Sequence, residues 1–136
     1  MAILNGSFIF AADLMREIEL SAQISFVKLA SYVGTSSTGS VCEMIGLNVD
    51  ISGRDVVVVE DIVDSGLTMK YVTEMLAKYN PRSISICTLL LKPGNLKVDL
   101  DIPYKCFSIP NDFILGYGLD YDGYGRNTRD IYTVVE

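Results

Sequence analysis

A chain of 136 residues, 49% apolar and 21% charged, is long enough to bury one core and too short for two independent ones. No run approaches the roughly 18 uninterrupted apolar residues of a membrane span, and residues 1–10 lack the basic start of a secretory leader, so neither a membrane partner nor export is expected. A net charge of −6 argues against a broad nucleic-acid surface, and the absence of histidine leaves acid–base work to carboxylates, Lys or Tyr.

In chain order, Ile3-Leu4 reads as the end of a strand and Asn5-Gly6 as a tight turn. Residues 7–20 then carry an apolar stripe at helical spacing, with Ser7 in the N-cap position. Residues 22–29 alternate imperfectly, which predicts a strand, and the small polar stretch 31–40 predicts a loop of a length usual for functional lids. A strand is expected over 41–46. The four valines Val56, Val57, Val58 and Val59 form a β-branched run, which predicts a strand buried on both faces of a parallel sheet. Residues 67–79 repeat at helical spacing through Thr68, Val72, Met75, Leu76 and Tyr79, and Asn80-Pro81 stops them. Residues 83–91 form a further buried strand. Strand, helix and strand with short links define the crossover unit of an α/β fold, and beyond Lys92 the texture changes to loops and short strands ending at 131–135. The widely spaced Cys42, Cys87 and Cys106 make no familiar zinc pattern and read as reduced thiols of a cytoplasmic protein.

Ligands in such sheets sit beyond the carboxyl ends of the strands, which directs attention to Glu60-Asp61-Ile62-Val63-Asp64-Ser65-Gly66-Leu67-Thr68. Two adjacent carboxylates at a buried strand end are costly unless something positive meets them, as the hydroxyls of a ribose plus a hard cation such as Mg would. The small and hydroxyl-bearing residues 64–68 open a helix, where free amides and the helix dipole favour a phosphate. Taken singly, the acids suit a solvated strand end and Ser65 or Thr68 a helix cap.

Taken together, the valine run, Glu60-Asp61, two apolar residues and Asp64-Ser65-Gly66-Leu67-Thr68 resemble the phosphoribosyl pyrophosphate motif of the type I phosphoribosyltransferases. The resemblance covers nearly the whole chain and is nearest to the hypoxanthine-guanine members. It implies an α/β fold with a mostly parallel central sheet flanked by helices and a small base-binding hood. It also assigns roles. Asn5 and Gly6, within Leu4-Asn5-Gly6-Ser7, would form the pyrophosphate turn, and Ser31-Tyr32 would open the mobile lid. Glu60, Asp61, Asp64, Ser65, Gly66, Leu67 and Thr68 would hold the ribose and its phosphate. Lys92 would donate to the six-position oxo group of a purine, Phe113 would stack on the ring, and the backbone of Ile114 would read its edge. Asp120, in the same base-side segment, would join Glu60 and Asp61 in holding Mg, and Arg126 would approach the pyrophosphate.

The reaction this implies is purine salvage: transfer of the 5-phosphoribosyl group to hypoxanthine or guanine, giving IMP or GMP and pyrophosphate. Asp64 would be the general base at N7 of the purine, and adenine would be refused because its amino group meets the Lys92 ammonium as donor against donor. The resemblance further implies a homodimer or homotetramer. Three departures stand out. In the single domain expected over residues 1–136, almost nothing precedes the segment at Ile3 where relatives usually have a helix and a leading strand, as expected either of a fragment or of a chain that has lost that region; Asn5 stands where some relatives have lysine, and Leu67 likewise. The other reading is a nucleotide-binding regulator or an inactive homologue, which the intact Asp64, Asp120 and Arg126 and the acidic balance argue against.

Overall fold

A computed structural model describes the backbone at residues 1–33 and 40–135 and the side chains at 1–30 and 44–135. Six strands form one sheet in the order β3-β2-β1-β4-β5-β6. They are β1 (Ala2–Leu4), β2 (Phe26–Val33), β3 (Ser40–Ile45), β4 (Asp55–Val63), β5 (Ser83–Leu91) and β6 (Tyr104–Ser108). All neighbours run parallel except β2 and β3. A separate antiparallel pair, β7 (Ile114–Leu115) with β8 (Tyr132–Thr133), carries the hood region.

Helices α1 (Phe8–Glu17) and α2 (Leu67–Ala77) accompany two apolar clusters. Met69, Val72 and Leu76 of α2 pack with Val56, Val58, Val63 and Ile86. Phe10 and Ala11 of α1 pack with Ala2, Val59, Leu89 and Ile114. Alternation along β4 sends Val58 to one cluster and Val59 to the other, which is why that strand needs apolar residues in succession. Val57 departs from the expectation of burial on both faces, being 40% exposed, so the start of β4 is covered incompletely.

Other boundaries move as well. The predicted helix over 7–20 ends at Glu17, because Ile18 turns extended at φ −85°, ψ 117°. Ser7 does occupy the N-cap position, yet its hydroxyl donates to the Ile3 carbonyl instead of accepting an amide of the first turn. The strand predicted at 22–29 begins at Phe26. Its parallel neighbour β1 offers Ala2, Ile3 and Leu4 as partners to Phe26, Val27 and Lys28, so the ladder and not the local alternation sets the start. Pairing with β3 also carries β2 through Ser31 and Tyr32, opposite Cys42 and Val41, so those two residues lie in a strand and not in the loop they were expected to open. The predicted lid itself falls largely on 34–39, outside the described residues, as do the Ser31 and Tyr32 side chains. Strand β4 continues past Val59 through Glu60 and Asp61 to Val63, with Glu60 opposite Thr88, so the acidic pair lies inside the ladder and not beyond it.

Candidate active site

The ends of β1, β4 and β5 converge, and the first turn of α2 faces the same place. Glu60 through Gly66, with Thr68 and Met69, line an open hollow of about 130 Å³. Gly66, at φ 84°, occupies the N-cap of α2, and the Ser65 hydroxyl accepts the Leu67 amide at 3.3 Å. The first-turn amides of a helix lack intrahelical partners, so this edge of the hollow presents donors to an anion.

On one side of the hollow stands the turn after β1. The Leu4–Asn5 peptide bond is cis. Gly6 packs so closely on Asp61 that a Cβ there would stand 2.0 Å from Oδ2 of that carboxylate. The Gly6 carbonyl in turn abuts Gly118, where a Cβ would stand 2.3 Å from it. Arg126 donates to the Gly118 carbonyl at 2.7 Å and pairs with Asp120 at 3.2 Å, while Asp120 accepts the Gly123 amide at 2.8 Å. The expected pyrophosphate turn, one acid of the pair, Asp120 and Arg126 are thus joined by a chain of contacts.

On the other side lies Asp64. The Lys92 ammonium, almost wholly buried at the end of β5, donates to Oδ2 at 3.2 Å, and the Asn95 side-chain amide donates to Oδ1. Asn95, first, and then Lys92 hold the Asp64 carboxyl below its ordinary range. A Cβ on Gly94 would stand 3.8 Å from the Asn111 amide, so the turn bearing Lys92 and Asn95 adjoins the segment leading to Phe113. Phe113 is 54% exposed with its ring edge-on to Tyr121 at 5.6 Å, and Ile114 is buried in β7.

Glu60 is the buried member of the acidic pair. Burial, then the neighbouring Asp61, pushes its carboxyl well above the ordinary value. Among the described residues no three carboxylates or thiols converge as a metal cage, so Glu60, Asp61 and Asp120 are not gathered around one point. A Mg ion commonly rests on one or two carboxylates with the remaining oxygens from substrate phosphates and water, and an all-oxygen donor set of this kind fits it.

Asn95 was missed in the sequence. It sits 31 residues from Asp64, and the only local sign was the turn-forming Pro93-Gly94 before it.

This arrangement of a mostly parallel sheet, an acidic pair within β4, a glycine-opened helix N-terminus just beyond it and an acid–lysine pair defines a class, and comparison with known proteins agrees with it. A family model described as the phosphoribosyl transferase domain matches residues 1–122, and the chain belongs to that family, with the type I fold. It is similar to the hypoxanthine-guanine phosphoribosyltransferase of Mycobacterium tuberculosis (strain ATCC 25618 / H37Rv), 45% identical over 98% of this chain and 67% of the relative. It is also similar to the hypoxanthine phosphoribosyltransferase of Escherichia coli (strain K12), 45% identical over 89% of this chain and 68% of the relative. The chain therefore spans about two thirds of the length of these relatives. A solved hypoxanthine-guanine phosphoribosyltransferase from Bacillus anthracis, with HEPES in its active site, superposes with a TM-score of 0.90 at 42% identity, covering 98% of this chain and 79% of that one.

Proposed function

We propose that the chain transfers the 5-phosphoribosyl group of phosphoribosyl pyrophosphate to hypoxanthine or guanine, releasing IMP or GMP and pyrophosphate in purine salvage. The observation that carries this reading is the Asp64–Lys92 pair at 3.2 Å, an acceptor beside a donor at the mouth of the phosphate loop. N7 of a 6-oxopurine, once N9 has attacked the anomeric carbon, presents a proton to an acceptor, and the neighbouring oxo group requires a donor. Asp64 supplies the first and Lys92 the second. Glu60 and Asp61 hold the ribose hydroxyls, the amides of residues 65–68 hold the 5-phosphate, and the turn at Asn5-Gly6 with Arg126 receives the pyrophosphate. Phe113 and the backbone of Ile114 fix the ring so that N9 faces the sugar.

Glu60, Asp61 or Asp120, together with substrate oxygens, would hold a Mg ion, which would supply positive charge to the departing pyrophosphate. The catalytic unit is one domain acting in a homodimer or homotetramer. Free Cys87 and Cys106 suit a reducing cytoplasm, and no described helix is long and apolar enough to cross a membrane.

The test is a steady-state assay with phosphoribosyl pyrophosphate, Mg and each of hypoxanthine, guanine, xanthine and adenine, beside Asp64→Asn. Turnover of 6-oxopurines, none of adenine, and a loss of roughly 10²–10⁴ in kcat for the variant is the expected result. Folded protein that turns over no purine would favour a nucleotide-binding or inactive homologue.

A further inference from the structure

Asp64 is gripped on both oxygens. Two backbone hydrogen bonds bracket the grip: the Lys92 amide donates to the Val63 carbonyl at 3.0 Å, and the Lys97 amide donates to the Ser65 carbonyl at 2.8 Å. These fix the 3-10 turn Pro93–Asn95 against the loop that carries Asp64, on the residues immediately before and after it. The Asn95 amide itself donates to the Lys92 carbonyl at 3.1 Å, which closes the turn and aims the Asn95 side chain at Asp64. Within this frame Asn95 Nδ2 takes Oδ1 and Lys92 Nζ takes Oδ2.

A carboxylate on a short side chain turns easily about its last bond. If both oxygens were free, the Lys92 ammonium could engage them together, and the donor meant for the substrate would be spent on Asp64. An amide donor on Oδ1 stops that rotation. It leaves Oδ2 and Nζ side by side as an acceptor and a donor, the pattern presented in reverse by N7–H and the six-position oxo group.

We propose that Asn95 is a positioning residue for phosphoribosyl transfer, holding Oδ1 of Asp64 so that Oδ2, beside the Lys92 ammonium, is the oxygen that faces the purine. This rests on the transfer reading of the site. Lys92 is the charged group that bears on Asp64, and Asn95 is the neutral one. Loss of the amide therefore removes a donor without changing the charge of the site.

The experiment compares wild type with Asn95→Leu, Asn95→Ala and Asn95→Gln. It reads kcat and KM for hypoxanthine and phosphoribosyl pyrophosphate across pH, and the carboxyl ¹³C titration of Asp64, assigned by its disappearance in Asp64→Asn. Removing a donor to an ionised group is expected to lower kcat about tenfold with little change in KM for phosphoribosyl pyrophosphate. The acid limb of kcat/KM and the Asp64 titration should both move to higher pH, and Asn95→Gln, which keeps the donor, should recover most of the loss. Asn95→Ala adds no apolar bulk and gives the same answer if Asn95→Leu fails to fold. Equal losses in all three variants with an unmoved Asp64 titration, or wild-type kinetics in Asn95→Ala, would overturn the inference. A wild type that turns over no purine while its Asp64 still titrates low would overturn the transfer reading instead.

Discussion

Glu60 is an unusual residue to bury. Its folded carboxyl is raised above the ordinary 4.5 by burial and by Asp61. Its contribution to stability is therefore present below that ordinary value and is lost as pH rises through the raised folded value, since the unfolded chain gives up the proton first. Replacing it with a neutral isostere removes this loss. Glu60→Gln is expected to melt a few degrees higher than wild type at about pH 8, with the difference closing as the pH falls toward about 4. The same change should weaken phosphoribosyl pyrophosphate binding, because Gln offers the ribose hydroxyls a weaker acceptor. Thermal melts across pH, paired with a binding titration, read both effects. Destabilisation by Gln at alkaline pH would contradict the account. Stability given up at a functional carboxylate is a common arrangement in enzymes.

At the scale of elements, α2 is held by a narrow stripe. Met69, Val72 and Leu76 are almost completely buried, while Thr68 and Tyr79, which share the predicted periodicity, are exposed. Leu76→Ala should cost about 2–5 kcal/mol in urea denaturation, as removal of a fully enclosed leucine does. The difference between the predicted and observed stripes shows where sequence reading succeeds and fails. β5 was legible to the residue, because Ile84, Ile86, Cys87 and the three leucines 89–91, with only small hydroxyl residues between them, lie between the breaker Pro81 and the charged Lys92. The loop at 64–68 was legible as the opening of a helix because its small and hydroxyl-bearing residues are contiguous. The start of β2 was not, because its register is imposed by β1, more than twenty residues earlier. Asn95 was hidden for a similar reason, since its partner Asp64 arrives from the loop after β4, 31 residues earlier. Local chemistry shows in sequence, and long-range pairing shows only in the fold.

At the scale of the molecule, the hood and the sheet meet at Gly6 and Gly118. Gly118 has φ 101°, and a Cβ there would stand 2.3 Å from the Gly6 carbonyl, a contact with backbone that no rotamer can relieve. Gly118→Ala should therefore push the segment carrying Asp120 and Arg126 away from the Asn5-Gly6 turn. KM for phosphoribosyl pyrophosphate should rise about tenfold or more, with a smaller change in the KM for hypoxanthine, and initial-rate kinetics with each substrate varied separately distinguish the two. Equal changes in both would mean a general loss of fold.

The sheet order has one more consequence, for how the chain assembles. Among the described residues, β1 pairs Ala2, Ile3 and Leu4 with β2 and Ala2 with β4, and in the sheet order it stands between the antiparallel pair β2–β3 and the parallel block β4–β5–β6. On the ribosome it is made before both halves, and Val59, its partner in β4, emerges only after β2 and β3 have been synthesised. The two halves can each gather local contacts first, whereas the joint between them must close a long loop. Pairing of β1 with β4 is then expected to be a late event in folding, and the turn at Asn5-Gly6 that β1 leads into is expected to take its final place with it.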